Sequence, residues 1–150
     1  MKKRIFCVIS LIVCGIMLAA CSKIIEPYSI DGFSDFAESE GLTTSDINNS
    51  MDNAVLAEGN GIHAEYYVFD KQSDTELGYN YMKETFLADK LDSESKKESS
   101  YEKGYHKRYI ASDDENAYGL ACVDNSLIYV YSLDESHISD VEKFIEKMGY

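Results

Sequence analysis

Three histidines, a lone mid-chain thiol and two acidic runs are the side chains best suited to chemistry in this sequence. His63, His106 and His137 follow neither H-x-x-x-H nor H-E-x-x-H spacing, the patterns that set two imidazoles on one helix face. His63 and His106 are expected on strands, where they could be neighbours, but no third or fourth zinc ligand suggests itself. "SDINNSMDN" places Asp46, Asn48, Ser50 and Asp52 at alternate positions, as a calcium loop does. Such a loop also needs glycine at its sixth position and glutamate at its twelfth, and Met51 and Ala57 stand there. The run reads as a solvated turn, and "DDE" at 113–115 as a hairpin tip. Cys122 falls mid-strand on the same face as Leu120, where a small apolar thiol packs. There is no G-x-S-x-G elbow, and "GNG" alone does not make a phosphate loop. Nothing here argues for an enzyme, a metal or a cofactor.

Tyrosine is the unusual residue: the chain holds 12, with no tryptophan. A tyrosine ring packs while its hydroxyl meets water, so many tyrosines in strands suggest half-wet surfaces. Strand alternation groups Tyr118, Leu120 and Cys122 with Leu127, Tyr129 and Tyr131. The opposite parity groups Ala117, Gly119, Ala121 and Val123 with Ile128 and Val130. Small and aliphatic side chains suit the face beneath helices. Tyr118, Tyr129 and Tyr131 would then either finish a thin core beneath loops or form an open platform for a peptide, glycan or partner protein.

The elements that must hold these residues can be read from periodicity and punctuation. "DGFSDFAESEG" predicts a short helix with Phe33, Phe36 and Ala37 inward and Gly41 at its stop. Residues 54–57 and 62–69 read as a hairpin turned by "EGNG". Ser73 and Glu76 have capping-box spacing, predicting a helix to about Lys90 with Leu77, Tyr81 and Thr85 on one face. Residues 92–103 are polar and charged and read as a mobile loop. Three strands follow, at 105–111, 117–123 and 127–131, with Asp124-Asn125 as a tight turn. A helix from Ser136 closes the chain, with Ile138, Val141, Ile145 and Met148 inward and Gly149 at its end. The expected fold is α+β: a small antiparallel sheet of about five strands, with three helices mainly on one face.

The N-terminus sets the expected address. Lys2, Lys3 and Arg4 precede an apolar run from Ile5 to Leu18, and Ala19-Ala20 lead into Cys21. A membrane span needs about 20 apolar residues, so this shorter run reads as a secretory leader. Leu18-Ala19-Ala20-Cys21 resembles the lipobox of bacterial lipoprotein signals. The resemblance implies cleavage before Cys21 and acyl chains on its sulfur, a durable anchor at about 0.8 kcal/mol per buried methylene. Residues 1–20 are then the signal peptide, 21–32 the lipid anchor and a short tether, and 33–150 a single domain.

The leader carries three of the 14 basic residues and none of the 27 acidic ones. The remaining chain therefore has 11 basic against 27 acidic residues, a net charge of −16 with histidines neutral. So acidic a surface excludes nucleic acid as a partner. Cys7 and Cys14 leave with the leader and lipid consumes Cys21, so Cys122 has no disulfide partner and stability must come from a core.

The C-terminal stretch "VDNSLIYVYSLDESHISDVEKFIEKMGY" resembles the end of small uncharacterised lipoproteins of Gram-positive anaerobes, and the likeness extends loosely over "AEYYVF" and the helix after it. It implies fold and address, and carries no catalytic residues with it. The expected function is a non-enzymatic, lipid-anchored binding domain on the extracytoplasmic side of the cell membrane, with a protein or cell-wall ligand. A small cell-envelope hydrolase or redox accessory protein, and a spacer or immunity-type surface protein, are the alternatives.

Overall fold

A computed structural model describes residues 25–47, 53–87, 90–91, 94–132 and 134–150. The signal segment, the lipobox, Cys21 and most of the "SDINNSMDN" turn lie outside the described residues. In chain order the elements are α1 (Ile30–Ser39), β1 (Thr43–Asp46), β2 (Ala54–Gly59), β3 (Ile62–Val68) and α2 (Gln72–Tyr81). A π-helical turn (Met82–Phe86), β4 (Lys97–Lys103), β5 (His106–Ser112), β6 (Ala117–Val123) and β7 (Ser126–Ser132) follow. A 3-10 turn (Glu135–His137) leads into α3 (Ile138–Met148). The fold is α+β, and its seven strands form one sheet in the order β1-β2-β3-β7-β6-β5-β4, each pair antiparallel.

The expected five strands become seven because both ends of the sheet carry strands with no apolar pattern. β1 lies in the turn-rich stretch, and β4 occupies most of the expected mobile loop at 92–103. All seven β4 side chains are exposed, so burial could not have announced it. Its backbone is satisfied instead by β5, with Tyr101 opposite Arg108 and Lys103 opposite His106. The Tyr109 hydroxyl donates to Glu98 at 2.7 Å, and Lys83 reaches across from the π turn to Glu102 at 3.2 Å. Charged side chains on such an edge discourage further strand pairing.

One face of the sheet carries α1 and α3. Phe33, Ala37, Val141, Phe144 and Ile145 pack on Ala57, Ala64, Tyr66, Ala121, Ile128 and Val130. This is the small and aliphatic face assigned to helices from strand parity. Gly119 permits the close approach: a Cβ there would lie 2.4 Å from Ile145 Cδ1 and 3.0 Å from Val141 Cγ1. Tyr66, Tyr150 and Ser126 link their hydroxyls inside this core, at 3.0 Å per contact, and Tyr28 N–H donates to the Tyr150 hydroxyl at 3.1 Å. The expected tether therefore ends earlier than Gly32. Ile25, Tyr28 and Ile30 pack against the core, and Ser29 caps α1 by accepting from Gly32 N–H at 3.0 Å.

The opposite face is covered by α2 and the chain after it, so the helices divide two and one. α2 differs from expectation in both cap and face. Lys71 is its N-cap, and the Ser73–Glu76 capping box does not form. Ser73 lies inside the first turn, and Glu76 pairs with Lys107 at 2.5 Å. Thr75 and Tyr79 are buried, whereas Leu77 and Tyr81 are 68% and 64% exposed. The π turn shifts the chain beyond Tyr81 by one residue. Leu87 N–H bonds Met82 O at 2.9 Å, so the extra residue carries Leu87 into line with Met82 and Tyr79 over the sheet.

Candidate functional site

The inner hairpin, β2–β3, builds the most chemically dense surface. Its turn is Asn60-Gly61, with φ of 51° and 73°, the pairing that a two-residue turn matched to strand twist requires. That turn puts Glu58 opposite His63, and β7 puts Tyr131 opposite His63 and Tyr129 opposite Glu65. Glu58, His63, Glu65 and Tyr67 therefore share the face that carries the expected tyrosine platform.

Their side chains form one hydrogen-bonded row. His63 Nδ1 lies 2.7 Å from Glu58 Oε1 and its Nε2 lies 2.9 Å from Glu65 Oε1. The Tyr67 hydroxyl donates to the other oxygen of Glu65. Each ring nitrogen faces one carboxylate oxygen, so the row sets two acidic side chains against a single imidazole. The Tyr131 ring covers the imidazole at a centroid distance of 4.4 Å. Because the carboxylates grip opposite ring nitrogens, the three groups do not converge on a point. Among the described residues no set of three or more His, Cys, Asp or Glu side chains could hold a metal ion.

The structure brings Tyr118, Tyr129 and Tyr131 together, as parity predicts. Tyr118 and Tyr129 stack 6.4 Å apart, and Tyr131 lies 6.1 and 5.4 Å from them. The open platform is nonetheless corrected at two of the three. Tyr118 and Tyr129 are only 6% and 4% exposed, in the cluster that also buries Tyr79, Leu87 and Leu91. Burial raises all three phenol pKa values. Tyr131 stays half-buried, beside half-buried Tyr67 and His63 and exposed Glu58. The surface that remains open has moved from β6–β7 to β2–β3. Sequence reasoning missed Glu58, Glu65 and Tyr67, although H-x-E-x-Y on one strand and an Asn-Gly turn fixing Glu58 opposite were both in view.

The other candidate residues stay apart. His106 lies on β5, with β7 and β6 between it and β3, and its partner Val123 belongs to the α3 side, so His63 and His106 are not neighbours. His106 Nε2 is buried without a hydrogen-bond partner, and desolvation, with Arg108 nearby, lowers its pKa. His137 faces Asp140 at 3.2 Å. Cys122 is buried under α2, and desolvation pushes its thiol up to about 11, as befits core packing. Asp113 accepts from the backbone N–H of Glu115 and Asn116, at 2.9 and 2.7 Å, making "DDE" the hairpin tip expected.

No protein-family profile and no curated protein matches the chain. Among solved structures it is similar to the crystal structure of a GTP binding regulator from Thermotoga maritima, with a TM-score of 0.51 and 12% identity. The match covers 81% of this chain and 87% of that one. At that identity the likeness is one of fold: a helix-covered antiparallel sheet.

Proposed function

We propose that this protein is a lipid-anchored, extracytoplasmic binding domain without catalytic activity, whose ligand is a protein or cell-wall component carrying cationic groups. The observation behind the binding reading is the β2–β3 face, where half-buried Tyr67 and Tyr131 flank a row with excess negative charge. Carboxylates beside aromatic rings suit ammonium and guanidinium groups, which gain both ion pairing and cation–π contact. The address rests on Leu18-Ala19-Ala20-Cys21 behind a short apolar run. Among the described residues no helix is long and apolar enough to cross a membrane.

Two measurements test the proposal. Labelling with radioactive palmitate should mark the wild type and not Cys21→Ser, and equal labelling would remove the anchor. A fluorescent lysine-rich peptide should bind the full chain, and Glu58→Gln with Tyr131→Ser should weaken it about tenfold, near 1.4 kcal/mol. Unchanged affinity would remove the β2–β3 face from the reading.

A further inference from the structure

The three helices leave two parts of the sheet uncovered, at opposite ends and on opposite faces. One is the acidic β2–β3 face. The other is the outer hairpin, β4–β5, on the side that carries α1 and α3. There β4 presents Lys97, Tyr101 and Lys103, all exposed.

Charge separates these two regions. Five of the 11 basic residues outside the leader fall within residues 96–108: Lys96, Lys97, Lys103, Lys107 and Arg108. Three of them are held, by Glu98 at 2.9 Å, Glu76 at 2.5 Å and Glu146 at 3.6 Å. Lys97 and Lys103 have no carboxylate partner among the described residues. At the other end of the sheet, Glu58 and Glu65 pair with His63 and, among the described residues, with no Lys or Arg. The outer hairpin is a basic arm on an otherwise acidic protein.

We propose that the β4–β5 arm of one copy docks on the β2–β3 face of a second copy, with Lys97 and Lys103 meeting Glu58 and Glu65, and Tyr101 packing on Tyr131. This rests on the reading of the β2–β3 face as a binding surface and names its partner. Two copies repel wherever acidic surface meets acidic surface, so this pairing is the orientation that long-range charge does not oppose. Donor and acceptor surfaces differ, so the contact is heterologous and repeats head to tail into an open chain. Confinement to one membrane plane raises the effective concentration of the partners.

Zero-length carbodiimide crosslinking tests this on the full chain in neutral phosphatidylcholine vesicles, with isotope-labelled and unlabelled copies mixed. Expected are mixed-isotope crosslinks joining Lys97 or Lys103 to Glu58 or Glu65. They should fall severalfold at about 1 M salt, where the screening length is about 3 Å. Lys97→Glu with Lys103→Glu changes only exposed, unpaired side chains and should abolish them. Glu58→Lys with Glu65→Lys should abolish them separately. Mixing the two variants should restore a crosslink, because one keeps the acidic face and the other the basic arm. Absence of mixed-isotope crosslinks in the wild type, or from the mixture of the two variants, would overturn the proposal. If the lysine-rich peptide still bound the β2–β3 face in that case, the self-contact would fail and the binding reading would stand. Arm lysines protected only by vesicles containing anionic lipid would assign the arm to headgroups and also overturn it.

Discussion

Two hairpins of the sheet, the inner β2–β3 and the outer β4–β5, are built by opposite means. β2–β3 is seated in the core: Val55, Ala57, Ala64 and Tyr66 face α1 and α3, and Gly61 lies against the His137 ring. In β4–β5 only β5 meets the core, through Tyr109, Ala111 and half-buried Ile110, and β4 is held by its ladder and by side chains that grip from outside. The hairpin's turn glycine, Gly104, has φ 60° and no atom within 4 Å of where a Cβ would stand. Apolar periodicity reports β2, β3 and β5 and is silent on β4. An edge strand needs only a partner for its backbone, and its free side can carry any soluble side chains.

Substitutions at the two turns should separate the hairpins most clearly. Gly61→Ala combines a positive φ with a Cβ 2.2 Å from His137 Cδ2, and backbone strain plus overpacking should cost about 3 kcal/mol. Gly104→Ala meets only the backbone penalty, about 1 kcal/mol. Urea unfolding of the two variants gives the difference directly, and equal losses would show that the inner turn yields more than its packing suggests.

A smaller contrast concerns the tyrosines. Tyr66 sits fully buried, its hydroxyl bonded to Tyr28 O at 2.9 Å and to the Tyr150 hydroxyl at 3.0 Å. Tyr66→Phe should cost about 1–2 kcal/mol by leaving buried acceptors short of a donor. On the outer hairpin, Tyr101→Ser should change stability by less than about 0.5 kcal/mol, since the ring is exposed. A large loss at Tyr101 would mean that its edge contact with His106, at 5.0 Å, holds the arm in place.

The smallest expected effect is one of pH. Burial lowers the His106 pKa below its ordinary value near 6.5, with Arg108 adding to the shift. The unfolded chain then binds this proton more readily than the folded one. His106 therefore contributes stability fully above about pH 6.5 and loses it as pH falls from there toward the lowered folded value. His106→Gln should flatten the fall in stability between pH 7 and 5.5 relative to wild type, and an unchanged slope would place the titration elsewhere.

How much of this was legible follows the same division. The closing helix, with Val141, Phe144, Ile145 and Met148 inward and Gly149 at φ 85°, needed only its period and its final glycine. The strands of the last hairpin and the separation of small from aromatic faces followed from alternation. α2 was misread because Leu77, Tyr81 and Thr85 recur at four-residue steps just as the buried Thr75 and Tyr79 do, and spacing alone does not say which face meets the sheet. The acidic row was missed for a different reason. H-x-E-x-Y was visible on one strand, but the carboxylate that completes it comes from across the turn.

Sequence alone determined what depends on local pattern: the α+β class, the paired hairpins, the faces of β6 and β7, the core thiol of Cys122 and the acid balance of the chain. These follow from side-chain alternation, turn chemistry and charge count, which need no knowledge of neighbours. Tertiary structure alone decided how the elements share out the sheet. Two helices took one face and one took the other, so Tyr118 and Tyr129 were buried and the open surface passed to Glu58, His63, Glu65 and Tyr131. Which face stays uncovered depends on where helices distant in the chain come to rest, and that is set by the packing of the whole core.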